Sequence, residues 1–280
     1  SIIKRMYDSR FGKKDGCIFQ ADLSQIELRL LAAACGDPLM VDAYRRGIDL
    51  HSLTTSRVFK IPYEHFEKKY MAGLQEIGKD KEAKELDRKR KIGKTTNFLT
   101  GYGGGPFGLQ TSLAEGGVYL DMAECEYIVE ALFDTYPCLR KHIAYYKRFI
   151  MDNGCAVSLF GRVRWFDEVR SDDQQAVSKA LRAGFNHLIQ ASASDLMILA
   201  CSAVDGLMKR AGLESILTST VHDSMVIDAR RSELPQVYSI VDEVTNNLPD
   251  VVSSMVDLDQ FDNRWLYTVP LEADAECGPS

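Results

Sequence analysis

Hydrophobic and polar positions along the chain alternate between two periods, and the changes of period mark out its elements. Residues 17–22, CIFQAD, are a short apolar run ending on a carboxylate, which predicts a strand. From Ser24 onward Ile26, Leu30 and Ala33 follow helical spacing, with Gly36 placed to stop the helix. Asp37-Pro38 then restarts helix as an N-cap followed by a first-turn proline. Residues 40–100 show little β-branched alternation and predict helix almost throughout. GYGGGP at 101–106 interrupts it, and further helices are expected over 107–115 and 121–151. CAVSLFGRVRWFDEV (155–169) is hairpin-like and leads into a long helix over 172–210. SILTSTVHDSMVIDA (215–229) has two β-rich arms around His222-Asp223-Ser224, a hairpin with a polar tip, and a helix over 231–248 follows. Strands among helices without regular βαβ alternation predict an α+β fold.

Composition narrows the class. The chain has 280 residues, 45% hydrophobic and 26% charged, as in an ordinary globular protein of one large or two modest domains. No run of 18 apolar residues argues for a membrane span, and the N-terminal SIIKRMYDSRF lacks the apolar core of a signal peptide. The seven cysteines, at 17, 35, 125, 138, 155, 201 and 277, show no metal-type spacing. They predict free thiols in a reducing, cytoplasmic compartment. A net charge of −6 excludes a nucleic-acid binder whose whole surface is basic. Charge is nevertheless uneven: KDKEAKELDRKRKIGK (79–94) holds eight Lys/Arg against four Asp/Glu, and the last 24 residues hold six acidic residues and one arginine. A basic run of this kind suits either a solvated helix face or a phosphate-facing one.

Three constellations carry candidate chemistry. In ADLSQIELR, Asp22 ends a strand and Glu27 lies in the next helix; Ser24 with Glu27 three residues on also reads as a capping box. Arg90, Lys94, Phe98 and Tyr102 recur every four residues, so they form one stripe of two cations and two aromatics. Such a stripe suits a polyphosphate at one end and a stacked base or sugar at the other, or else solvated charges beside core aromatics. At the hairpin tip, His222-Asp223 sits on a stiff scaffold, where the aspartate is either a turn former or a metal-binding carboxylate. Two strand-end carboxylates could bracket a pair of Mg²⁺ ions about 4 Å apart for an in-line phosphoryl displacement.

Asp22-Leu23-Ser24-Gln25-Ile26-Glu27-Leu28-Arg29 resembles the first motif of family A (DNA polymerase I-like) DNA polymerases. Arg90-x3-Lys94-x3-Phe98-x3-Tyr102-Gly103 resembles their fingers-helix motif, and Val221-His222-Asp223 their third motif. Asp49-Leu50-His51-Ser52, the turn Gly161-Arg162-Val163-Arg164 and Arg182-x3-Asn186-x3-Gln190 resemble further family segments, in the family's order. The resemblance implies a polymerase palm, an antiparallel sheet with flanking helices, over 1–35 and 179–280. An inserted helical fingers subdomain is expected over 36–178, with thumb and exonuclease domains absent. It implies template-directed nucleotidyl transfer from a dNTP to a primer 3′-hydroxyl by a two-metal mechanism. Asp22 and Asp223 would be the catalytic carboxylates and hold two Mg²⁺ ions, with Mn²⁺ an alternative. Lys94 would be a proton donor to pyrophosphate. Arg90, Lys94 and His51 would contact the phosphates; Gln25, Glu27, Phe98 and Tyr102 would complete the nucleotide site, Glu27 excluding a ribose 2′-hydroxyl. Arg29, Arg182, Asn186, Gln190 and His222 would bind primer-template DNA. A thumb, and with it an exonuclease, is expected from a preceding segment or a second polypeptide. The style of the sequence suggests a bacteriophage. Two departures stand out: Ser224 follows Asp223 where the family most often has glutamate, and Leu23 replaces the usual tyrosine. The rival readings are a single-subunit RNA polymerase, against which Glu27 argues, and a catalytically weak nucleic-acid-binding or assembly subunit.

Overall fold

The computed structural model of the chain describes residues 8–257 and 264–278. The N-terminal SIIKRMY and, in the acidic C-terminal stretch, Asp259 and Asp262 lie outside the described residues. After a single helical turn, α1 (Gly12–Asp15), come β1 (Gly16–Leu23), α2 (Ile26–Cys35), α3 (Pro38–Arg45), α4 (Leu50–Phe59) and α5 (Lys68–Glu76). The chain continues through α6 (Asp80–Gly101), α7 (Pro106–Glu115), α8 (Met122–Thr135) and α9 (Pro137–Asn153), then the short hairpin of β2 (Cys155–Val157) and β3 (Val163–Trp165). α10 (Gln174–Arg210), β4 (Ile216–Val221), β5 (Ser224–Arg230), α11 (Leu234–Asn246), α12 (Leu248–Met255) and β6 (Ala273–Gly278) complete it. The fold is α+β, and it divides into two compact units.

One unit, Ser1–Leu30, Ser158–Arg162 and Ile189–Ser280, carries an antiparallel sheet of order β4-β5-β1-β6. The period-two alternation of β1 sorts its residues to two faces. Cys17, Phe19, Ala21 and Leu23 are buried, and the first three pair across to the buried Ala229, Ile227 and Met225 of β5. α11 packs on β5 and β6, with Val237, Val241 and Val244 in the core. The opposite face carries Gln20 and Asp22, paired with Val226 and Ser224 on one side and with Glu276 and Asp274 on the other. The sheet thus has one apolar and one polar face, and Asp22 is on the polar one.

The other unit, Leu31–Val157 and Val163–Leu188, is helical apart from the β2–β3 hairpin. Val58, Ile92, Leu109, Leu113, Cys125, Ile128 and Val129 form a core cluster from α4, α6, α7 and α8, and Phe66, Leu74, Ala83 and Leu86 form a second under α5 and α6. Gly93 lets α6 approach α4 closely: a Cβ there would lie 2.1 Å from Thr55 Oγ1 and 3.3 Å from the His51 carbonyl oxygen.

Several boundaries differ from the sequence expectation. The helix expected over 121–151 is two, because Pro137 supplies no N–H and holds Tyr136 out of helical geometry (φ −124°, ψ 72°). α2 begins at Ile26, with Gln25 in the left-handed region (φ 52°), so Ser24 and Glu27 do not stand at N-cap-to-N3 spacing; the Ser24 hydroxyl instead donates to Asp274 Oδ2 (2.6 Å). β6 went unpredicted: its ADAECG is an edge strand of small and acidic residues with little apolar alternation to reveal it. α10 is the one helix among the described residues long and apolar enough to cross a membrane, yet Phe185, Leu188, Leu196 and Val204 are buried within the protein, as in a core helix. The seven cysteines are all free.

Candidate active site

On the sheet, the β4–β5 turn presents Asp223 beside the end of β1. Val221 pairs with Ser224, leaving His222 and Asp223 as a two-residue loop. His222 takes positive φ (57°), which costs a non-glycine residue about 1–2 kcal/mol. The Leu23 N–H donates to the Asp223 carbonyl (2.9 Å), fastening the turn to β1. The Ser224 hydroxyl donates to Asp22 Oδ1 (2.5 Å) and accepts from Gln20 Nε2 (2.9 Å), so the residue after Asp223 orients Asp22 through a short charge-assisted bond. The Asp223 carboxyl is raised above the ordinary range, first by burial and then by the neighbouring Asp22 and Glu27 carboxylates. Asp22, Asp223 and Glu27 therefore share one patch of negative potential.

Arg29 is buried, with its guanidinium spent on its own unit: Nε donates to the Ser24 carbonyl (2.8 Å), Nη1 to the Pro270 carbonyl (2.5 Å) and Nη2 to Glu272 Oε2 (2.7 Å). It ties the β1–α2 turn to residues 270–272.

In the helical unit, α6 carries the predicted stripe, with Tyr102 immediately after its last turn. Phe98 lies 6.4 Å from Tyr102 and 5.4 Å from His51 between ring centroids, and Lys94 Nζ sits 5.9 Å from the centre of the Phe98 ring. A groove of about 310 Å³ is lined by Lys94, Thr95, Phe98, Leu99, Tyr102 and Ser112. Arg90 bonds to Asp49 Oδ2 through Nη2 (2.6 Å) and to the Ser52 hydroxyl through Nε (3.0 Å). Asp49 is also the N-cap of α4, accepting from the His51 and Ser52 N–H groups. Burial alone would raise its carboxyl, but hydrogen bonds from Ser52 and Arg90 and the Arg90 charge outweigh it and leave it below the usual range. His51 is buried at the start of α4 and bonds through Nδ1 to Asn97 Nδ2 (3.1 Å).

A second groove of about 480 Å³ brings Tyr102 together with Arg182 and Asn186, beside Gly104, Gly105 and Phe107. Asn186 Oδ1 is buried there with no hydrogen-bond partner among the described residues. Gln190, one turn further along α10, is exposed. Lys147 donates to the Gly103 carbonyl (3.3 Å), and its ammonium is depressed first by burial and then by Arg182.

The structure thus gathers Asp22, Asp223 and Glu27 in one unit, and His51, Arg90, Lys94, Phe98 and Tyr102 in the other. Sequence reasoning missed Asp49, Asn97, Lys147 and Asp274. Only Asp49 left a signal, as an N-cap three residues before Ser52.

A sequence profile of DNA polymerase family A matches residues 3–280. The chain is 29% identical to a DNA polymerase of Bacillus phage SP01 over 276 residues, covering 99% of this chain and 27% of that protein. It is 31% identical to DNA polymerase I of Chloroflexus aurantiacus over 261 residues, covering 93% of this chain and 23% of the relative. Among solved structures it is similar to the POL domain of Pol1 from M. smegmatis in complex with DNA primer-template and dNTP, with a TM-score of 0.76 and 26% identity. That match covers 96% of this chain and 40% of the other. The chain spans about a quarter of the length of these curated relatives.

Proposed function

The chain belongs to DNA polymerase family A, and from that premise we propose that it carries the catalytic centre of a DNA-directed DNA polymerase. The reaction is transfer of a nucleotidyl group from a dNTP to a primer 3′-hydroxyl. The sheet-bearing unit acts as the palm and the helical unit as the fingers. One observation carries the reading: Asp22 at the end of β1 and Asp223 in the β4–β5 turn lie side by side, and burial, with the Asp22 and Glu27 carboxylates beside it, raises Asp223.

Hard oxygen donors of this kind fit Mg²⁺, which is held by one or two carboxylates together with substrate phosphates. Among the described residues no cluster of three or more potential ligands forms, so the nucleotide's own oxygens would complete the coordination. When bound, two such ions supply activation of the primer hydroxyl and neutralise charge on the leaving pyrophosphate. Asp22 and Asp223 would hold them, and Ser224 keeps Asp22 aimed by its hydroxyl bond. Arg90 and Lys94 bind the triphosphate, and Lys94, the exposed one, is placed to give a proton to pyrophosphate. His51 donates to a phosphate oxygen. Phe98 lies against sugar and base, while Tyr102 with Arg182 and Asn186 faces the template strand. Glu27 excludes a ribose 2′-hydroxyl, and Gln25 helps to position that glutamate and the phosphates. Gln190 and His222 follow the primer-template, and Arg29 acts as a strut rather than as a groove contact. Grip on the duplex beyond these residues comes from a thumb in another segment or a second polypeptide.

Primer extension with Mg²⁺ tests the proposal, using the chain together with whatever further segment or partner is required. Asp22→Ala and Asp223→Ala are each expected to cost at least about a hundredfold in turnover while leaving duplex binding nearly intact. A variant retaining more than about a tenth of wild-type turnover, a barrier change under about 1.4 kcal/mol, removes that residue from the metal site. Glu27→Ala is expected to raise ribonucleotide use relative to deoxyribonucleotide use; unchanged discrimination would assign Glu27 a purely structural role.

A further inference from the structure

Behind His51 lies a chain of buried polar side chains that the reading above leaves without a task. Asn97, on the inner face of α6, places Nδ2 3.1 Å from His51 Nδ1 and 3.5 Å from the Leu50 carbonyl oxygen. Its Oδ1 accepts from the Thr54 hydroxyl (2.9 Å). Thr54 Oγ1 in turn lies 2.9 Å from the hydroxyl of Tyr136, which is itself buried.

The neighbours fix which way the amide points. Turned over, Oδ1 would face the Leu50 carbonyl oxygen, acceptor against acceptor, and the Thr54 hydroxyl would lose the acceptor it shares with that carbonyl. With the amide so fixed, His51 Nδ1 receives a hydrogen bond and carries no proton, so the proton of the neutral ring sits on Nε2. No described residue bonds Nε2.

We propose that Asn97 is a positioning residue that holds His51 in its Nε2–H tautomer, making the ring a neutral hydrogen-bond donor to a phosphoryl oxygen of the incoming nucleotide. This rests on the polymerase reading for the identity of the acceptor; the control of the tautomer does not. The charged groups facing the ring are Asp49 at the N-cap of α4 and Arg90 and Lys94 from α6. Burial, opposed by Asp49 and aided by the two cations, pushes the imidazole down to about 4, so the ring stays neutral at physiological pH. Arg90 and Lys94 then supply charge, while His51 supplies direction without a third positive charge.

The test is nitrogen NMR of the ¹⁵N-histidine-labelled chain, with His51 assigned through His51→Gln. Wild type is expected to show Nδ1 unprotonated and Nε2 protonated between about pH 5.5 and 8.5. In Asn97→Asp the new carboxylate faces Nδ1, which is expected to gain a proton at neutral pH. Should that variant fold poorly, Thr54→Val removes the hydroxyl that bonds the amide oxygen, together with its bonds to the Leu50 carbonyl and Tyr136. It is expected to give a mixture of tautomers and to weaken binding of a dNTP with Mg²⁺ by about threefold to tenfold, with Thr54→Ser restoring both. A protonated Nδ1 in wild type, an unprotonated one in a folded Asn97→Asp, or a Thr54→Val chain keeping the wild-type tautomer would each overturn the assignment. If the tautomer responds as described but dNTP leaves the Nε2 resonance unmoved, the phosphate contact assigned to His51 falls and tautomer control stands.

Discussion

Asp223 and Arg90 carry opposite charges and are held by opposite means. Asp223 sits on a turn strained at His222, and burial first, then two carboxylates that repel it, bind its proton more tightly than usual. Arg90 is met by Asp49 and Ser52, and Asp49 is itself capped onto α4. The carboxylate face is unfavourable to itself until a cation arrives. On the α4–α6 face Arg90, Asp49 and Ser52 are already bonded to one another. The difference shows where binding energy can be released: a metal relieves repulsion that is present beforehand, while a nucleotide must share Arg90 with a partner already in place.

The largest effect should come from separating α4 from α6. Gly93→Ala places a Cβ against Thr55 Oγ1, whose hydroxyl bonds the His51 carbonyl (2.7 Å), so rotating away breaks that bond. A loss of about 1–3 kcal/mol in unfolding free energy is expected, measured by urea denaturation. Thr55→Ala in the same chain should return part of it. Unchanged stability would mean that the helices separate at little cost and that the α4–α6 face is not preassembled.

Removing the hub is the next test. Asp49→Ala deletes the α4 cap and the Arg90 partner together, and is expected to lower stability by about 1 kcal/mol and catalytic efficiency for dNTP by about tenfold. Higher efficiency would show that Asp49 competes with the nucleotide for Arg90 instead of presenting it.

The smallest effect belongs to the carboxylate face. Because the folded state raises Asp223, its contribution to stability is fully present below the ordinary carboxylate pKa and is lost as pH rises through the raised value. Asp223→Asn should therefore raise Tm in EDTA at neutral pH by about one or two degrees, the scale of a partly exposed charge pair. The gain should shrink towards about pH 4 and on adding Mg²⁺ to both proteins. A variant that melts lower than wild type in EDTA would contradict the repulsion.

Much of this was legible in the sequence because it rests on local periodicity. The apolar run CIFQAD marked a strand ending on Asp22, and the four-residue spacing of Arg90, Lys94, Phe98 and Tyr102 marked their common stripe. Asp37-Pro38 behaved as a cap, with Asp37 accepting from Leu39 and Met40. What stayed hidden depends on distant pairing. Asp274 joins Asp22 only because β6 completes the sheet, and nothing in ADAECG announces a strand. Asn97 has no local reason to matter, since its bonds run to α4, more than forty residues earlier. Arg29 reads as a DNA contact from the sequence because its partners, Pro270 and Glu272, lie at the other end of the chain.

The alternation in β1 also acts as a reading frame. Cys17, Phe19 and Ala21 face the core and Gln20 and Asp22 face away, pinned on both sides by β5 and β6. Side chains repeat every two residues, so deleting one residue between Cys17 and Ala21 would present every later side chain to the wrong side. Asp22 would be driven among Phe19, Met225 and Ile227, and Leu23 into water. The fold can absorb single substitutions among the core-facing residues here, but not changes of length, so across this strand keeping the count of residues matters more to the fold than keeping their chemistry.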